Sequence, residues 1–155
     1  MEFKLGRFFL LRVPSGSELI SYIRKYAKDL SINTGVLWLI GSFRRTKIGF
    51  FIEEEGSYKV IDVNEFTEVI NASGNISLVN GEPFIHVHVA LGRMDGSCIG
   101  GHLIEGIVFI AEVWIQELID GELKRVREGS LYLLPLEQPH SELGGESVQN
   151  TNSAR

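Results

Sequence analysis

The sequence predicts an α+β chain, with one amphipathic helix near the N-terminus followed by a mostly antiparallel sheet. Three observations predict it. Only "SGSELISYIRKYAKDL" carries a helical apolar period. From "VLWLIG" onward the chain breaks into short runs rich in β-branched and aromatic residues. Two hairpin dipeptides, Asn80-Gly81 and Asp95-Gly96, punctuate the later runs.

With 155 residues, 44% of them hydrophobic and 23% charged, the chain is expected to fold as a single domain over 1–141 with a packed core. The opening segment, Met1 to Ser17, contains "FFLL", which is too short for a signal peptide and lacks a small-residue cleavage pattern. That segment predicts a cytoplasmic protein. In the helix, Leu19, Ile20, Ile23, Tyr26, Ala27 and Leu30 share one face, with charges opposite. Ser15 and Glu18 have the spacing of a capping box, so the helix is expected to begin just after Ser15 and to end near Ser31, ahead of Gly35.

The strands follow in order. "VLWLIG" begins a strand, and "TKIGFFI", "SYKVIDV" and "FTEVINA", divided by "EEEGS" and "VNE", read as a meander. "ASGNISLVNGEPFIHVHVAL" holds two strands around Asn80-Gly81, and a further hairpin runs through Asp95-Gly96. "HLIEGIVFIAEVWIQEL" is long enough for a helix, yet Ile, Val, Phe and Trp dominate it, so it is read as a strand bent at Gly106 and ended by "IDGEL". "YLLPL" is a last short strand with Pro135 at an edge or bulge. Residues 142–155 are polar and glycine-rich, and are expected to form a disordered tail.

Composition narrows the function. Cys98 is the only cysteine, so no internal disulfide forms, and a buried, inert thiol is expected there. No apolar run approaches the roughly 18 residues of a membrane span. A net charge of −5 argues against an electrostatic nucleic-acid footprint. The basic candidates are Arg44, Arg45 and Lys47 in "FRRTK", and Lys124, Arg125 and Arg127 in "LKRVR". DNA binding would need them gathered on one face, and short solvated runs are the simpler reading.

Three of the four histidines fall between Pro83 and Gly106. His86 and His88 are two apart on a strand, so both side chains leave the same face. His102 depends on the turn. If "MDG" is a three-residue loop with Gly96 left-handed, Arg93 pairs with Ser97 and His102 stands opposite His88; a two-residue loop sends His102 to the other face unless Gly100-Gly101 bulges. In the first register three neutral imidazoles with an open fourth position match the ligand set of catalytic zinc, one ion per chain, or of a related divalent metal. The alternative, in either register, is that one or more of these histidines is simply a half-buried strand residue bonded to a carbonyl. Glu105 and Glu112, on the strand of His102, are the candidates for a proton-carrying carboxylate. Strict alternation favours Glu112 unless Gly106 breaks the phase. Glu82, ahead of the His86 strand, is a third, and His140 is taken as a surface residue.

"SGNISLVNGEPFIHVHVALGRMDGSCIGGHLIEG", preceded by the helix after "VPSGSEL" and by "TGVLWLIGSFRRTKIGFF", resembles the domain conserved in plants and prokaryotes, the PPC domain, over roughly Phe8 to Leu134. The resemblance implies an α+β fold, a mostly antiparallel sheet or open barrel with one packed helix at about 16–31, and a homotrimer. In plants the domain accompanies AT-hook motifs in DNA-binding proteins, but no "RGRP"-like hook stands in this chain, and the plant domains largely lack the three histidines. The fold is also similar to that of acetolactate decarboxylase, a zinc enzyme with a His-x-His pair and a later His. That likeness implies His86, His88 and His102 as ligands without implying a substrate. Two functions are therefore expected: metal-dependent binding of, or chemistry on, a small molecule, or a trimeric DNA-binding or regulatory module with structural histidines.

Overall fold

A computed structural model of the chain describes residues 1–135; the tail expected over 142–155 and His140 lie outside the described residues. The elements run β1 (Lys4–Val13), α1 (Leu19–Asp29), β2 (Gly35–Ile52), β3 (Ser57–Val63), β4 (Thr67–Val79), β5 (Glu82–Gly92), β6 (Cys98–Ile119), β7 (Val126–Glu128) and β8 (Leu131–Leu133). Six strands form one antiparallel sheet in the order β1-β6-β5-β4-β2-β3, and a further pairing of β6 with β2 curls it back on itself. The α+β reading holds. No helix among the described residues is long and apolar enough to cross a membrane.

The sheet closes because two strands are long. β2 is one strand where the sequence suggested two runs: "SFRRTK" interrupts the apolar pattern but not the ladder, since Ser42, Phe43, Arg45 and Thr46 all pair with β6. β6 is a strand, as its β-branched content required, and spans 22 residues. Bulges set its phase: the register with β2 skips Phe109 and Ile104, so the break falls on both sides of Gly106. The inner face packs Leu37, Leu39, Phe43, Ile48, Val87, Leu91, Leu103 and Val108 with the helix residues Leu19, Ile20, Ile23 and Ala27. Such burial of apolar area is the main favourable term in folding.

Two local readings need correction. The helix starts at Leu19, because backbone groups of Gly16 and Ser17 pair with Val108 and Glu18 bridges to Ile107, leaving them no freedom to turn into helix. Glu18 is itself the N-cap: its carboxylate accepts from the Ile20 and Ser21 amides, and from Gly106 N–H at 3.2 Å, which ties the helix to β6. Ser15 instead accepts a bond from Arg44. The helix ends as expected near Ser31, which has φ 55°. β1, which the sequence reading left without a strand, is an edge strand on β6 with a register shift between Leu5 and Phe8.

The hairpin at Asn80-Gly81 forms as expected, with both residues at positive φ as a type I′ turn requires. It brings β4 against β5, where Gly74 faces Val87; a Cβ at Gly74 would overlap the carbonyl oxygen of His86. Gly74→Ala is therefore expected to lower stability by about 1–3 kcal/mol in urea denaturation, and wild-type stability of that variant would contradict the packing.

Candidate metal centre

β5 alternates strictly. Ile85, Val87 and Val89 are buried inward, which turns His86 and His88 to the outer face. The turn to β6 is the three-residue form: the Arg93 amide donates to the Ser97 carbonyl at 2.9 Å, Gly96 sits at φ +84°, and the Asp95 carboxylate accepts from the Ser97 amide at 2.9 Å. That register sets His102 opposite His88. The ring centroids form a triangle of 5.1 Å (His86 to His88), 4.9 Å (His86 to His102) and 5.5 Å (His88 to His102), and one nitrogen from each ring lies within 4.8 Å of the others.

His86 and His102 are half-buried and His88 is exposed; Tyr58 of β3 packs on His102 at 5.2 Å. Burial, then the neighbouring His102, Arg125 and His88, push His86 down to about 4, and burial with His88 and Arg125 lowers His102. Both rings are thus neutral near pH 7, with a lone pair to give. Nδ1 of His102 is buried and has no hydrogen-bond partner among the described residues. An orphaned buried nitrogen in a cluster of neutral imidazoles is the donor set of a nitrogen-ligated divalent metal.

The structure does not bring the candidate carboxylates to these rings. Glu105 faces Arg45 and Lys47 at 3.7 and 3.9 Å. Glu112 pairs opposite Arg12 and Ile40, ten residues and about 30 Å along β6 from His102. Glu82 binds Lys28 at 2.7 Å. Cys98 is exposed, contrary to the buried thiol expected, because it opens β6 at the rim of the hairpin. The basic residues are largely engaged: Arg44 donates to Ser15 and lies 4.8 Å over Phe109, Arg45 and Lys47 share Glu105, and Lys124 pairs with Glu122 at 2.6 Å.

Arg125 is the site residue that sequence reasoning missed, having placed it among basic surface residues. Nη2 lies 3.1 Å from His86 Nδ1. No spacing rule could have found it, since it stands 23 residues beyond His102. It arrives by a backbone clasp, in which the Leu78 amide donates to the Leu123 carbonyl and the Arg125 amide to the Leu78 carbonyl. Two hollows meet at His86. One of about 510 Å³ is lined by Val36, Trp38, Ser73, Asn75 and His88; the other, of about 170 Å³, by Tyr58, Phe84, Arg125 and the β7–β8 hairpin.

Among the described residues, a curled antiparallel sheet with one packed α-helix and three imidazoles on its outer face defines a small α+β protein with a candidate metal centre. The chain belongs to the Plants and Prokaryotes Conserved (PCC) domain family, whose pattern it matches over residues 1–119. A plant- and prokaryote-conserved protein of Pyrococcus horikoshii is 43% identical, with a TM-score of 0.86 over 89% of this chain and 97% of that one. A metal-containing protein of Archaeoglobus fulgidus is 33% identical, with a TM-score of 0.83 over 87% and 97%. A protein of Bacteroides thetaiotaomicron whose name offers DNA binding as a conjecture is 23% identical (TM-score 0.78, 88% and 99% covered) and shows the fold alone. No curated protein sequence matches the chain.

The lowered His86 and His102 carry a sign. Their folded values lie below the ordinary 6.5, so the unfolded chain binds more protons; the stability His86 contributes is complete above about pH 6.5 and is lost as pH falls toward about 4, and His102 acts in the same direction. The melting temperature of metal-free protein is expected to drop across that window, and less so in His86→Gln. Equal pH slopes for the two proteins would contradict the assignment.

Proposed function

We propose that this protein holds one divalent metal ion, zinc, on His86, His88 and His102 and uses it to bind or transform a small molecule in the adjoining hollows. The observation that carries the reading is the triad: three nitrogen donors within 4.8 Å, with no carboxylate or thiol among them. Neutral imidazoles suit zinc, copper or nickel, whereas magnesium and calcium seek oxygen. The metal-containing relative from Archaeoglobus fulgidus supports it. Bound there, zinc would acidify a coordinated water and polarise a carbonyl. The chain's own part is to keep two of the rings neutral by burial and to hold His102 against Tyr58. DNA binding, the alternative from the family resemblance, is disfavoured by a net charge of −5 and by the carboxylates that face three of the basic candidates, Glu105 at Arg45 and Lys47 and Glu122 at Lys124.

The same reading includes self-association as a homotrimer. Phe8, Leu10, Val36, Trp38 and Ile40 are 38–61% exposed in one row on β1 and β2, joined by Trp114, which pairs with both Leu10 and Trp38. A contiguous apolar patch of this kind marks an interface.

Elemental analysis of untagged protein is expected to find about one zinc per chain, lost in His86→Ala and in His102→Ala; a parent that takes up no metal when zinc is supplied would remove the reading. Light scattering is expected to give a trimer for the wild type and smaller species for Trp38→Glu, and a monomeric wild type would remove the assembly.

A further inference from the structure

Arg125 is a charged side chain whose partners are all neutral. Nε donates to Ser77 Oγ at 2.8 Å, Nη1 to the Tyr132 carbonyl at 2.8 Å, and Nη2 to Asn75 Oδ1 at 2.9 Å and His86 Nδ1 at 3.1 Å, while the guanidinium lies 5.3 Å from the Phe84 ring centroid. Arg7 and Arg93, by contrast, reach the carboxylates of Glu117 and Glu65. Arg125 is partly withdrawn from water, and no carboxylate answers it among the described residues. A charge so placed is costly until an anion completes it.

We propose that the imidazole site takes a small carboxylate and that Arg125 binds it, in an arrangement that metal occupancy switches on. The proposal rests on the metal reading above. Its logic is a competition for one lone pair. An arginine only donates, so the His86 nitrogen it faces, Nδ1, is the unprotonated one, and a neutral ring then carries its hydrogen on Nε2. Ligation by His86 needs that same lone pair, or a tautomer that places a hydrogen on Nδ1. Either way the bond from Arg125 is lost and one guanidinium hydrogen is released beside the hollow of about 170 Å³. A divalent ion on neutral ligands and the adjoining guanidinium together carry three positive charges, with no acid beside them among the described residues, and an anion supplies the offset. Metal and anion therefore strengthen each other's binding.

The chemistry favours a carboxylate over a phosphate. The hollow offers the edge of one planar guanidinium, which matches a carboxylate. It presents no helix N-terminus, as the only α-helix among the described residues begins at Leu19 on the far side of the sheet from these rings. The small volume and the Phe84 and Tyr132 walls select an acid of few carbons.

The test is calorimetric titration of malonate into the full chain, zinc-loaded and metal-free, with inorganic phosphate as the control anion. Arg125→Gln removes the charge and keeps an amide donor; Asn75→Asp keeps Arg125 and gives it an internal carboxylate. Malonate is expected to bind the zinc-loaded wild type at least tenfold more tightly than the metal-free chain, and at least tenfold more weakly in both variants, which retain their zinc. Zinc affinity is expected to rise in Arg125→Gln, where the neighbouring positive charge is gone. Unchanged malonate affinity in both zinc-loaded variants, or phosphate binding in preference to malonate, overturns the proposal. Failure of the metal reading appears separately, as a wild type that takes up no zinc. Malonate binding that Arg125→Gln abolishes would then preserve the role of Arg125 and overturn the coupling, and no malonate binding would overturn both.

Discussion

The site depends on one register. The pairing of His88 with His102 is fixed by the three-residue turn, in which Gly96 takes the left-handed conformation and Arg93 closes on Ser97. A slip of one residue would move His102 to the inner face and bring Leu103 out, exchanging a buried leucine for a buried imidazole. The hydrophobic pattern and the turn therefore enforce the same alignment, so packing that stabilises the sheet also assembles the imidazole triangle.

That alignment was legible before the structure because period-two alternation and turn chemistry are local rules. His86, His88 and His102 share a face by counting residues, once the loop length is known. The ends of elements were less legible, because tertiary pairing decided them. Ser15 and Glu18 have the spacing to start a helix, but the backbone of Gly16 to Glu18 is engaged by Val108 and Ile107, so the helix waits for Leu19. β1 escaped notice because its partner strand lies about a hundred residues away and its own alternation is broken by the shift near Gly6.

Arg125 shows the limit most clearly. In the sequence it is one cation in "LKRVR", no different from its neighbours. In the fold, the clasp between Leu78 and the Leu123–Arg125 segment turns it beneath His86, where its positive charge helps keep that ring neutral. It also lies beyond the residues that match the family pattern, so the chain completes the surroundings of its imidazoles with a segment outside that match. The carboxylates on β6 went the other way: Glu105 looked close in sequence and is spent on Arg45 and Lys47.

The central claim is that three imidazole nitrogens bind one metal ion. X-ray absorption at the zinc edge of the loaded protein tests it most directly. The account predicts three nitrogen scatterers near 2.0 Å with the multiple-scattering signature of imidazole, and an oxygen donor in the remaining position. A shell containing sulfur, or one made only of oxygen with no imidazole scattering, would contradict it.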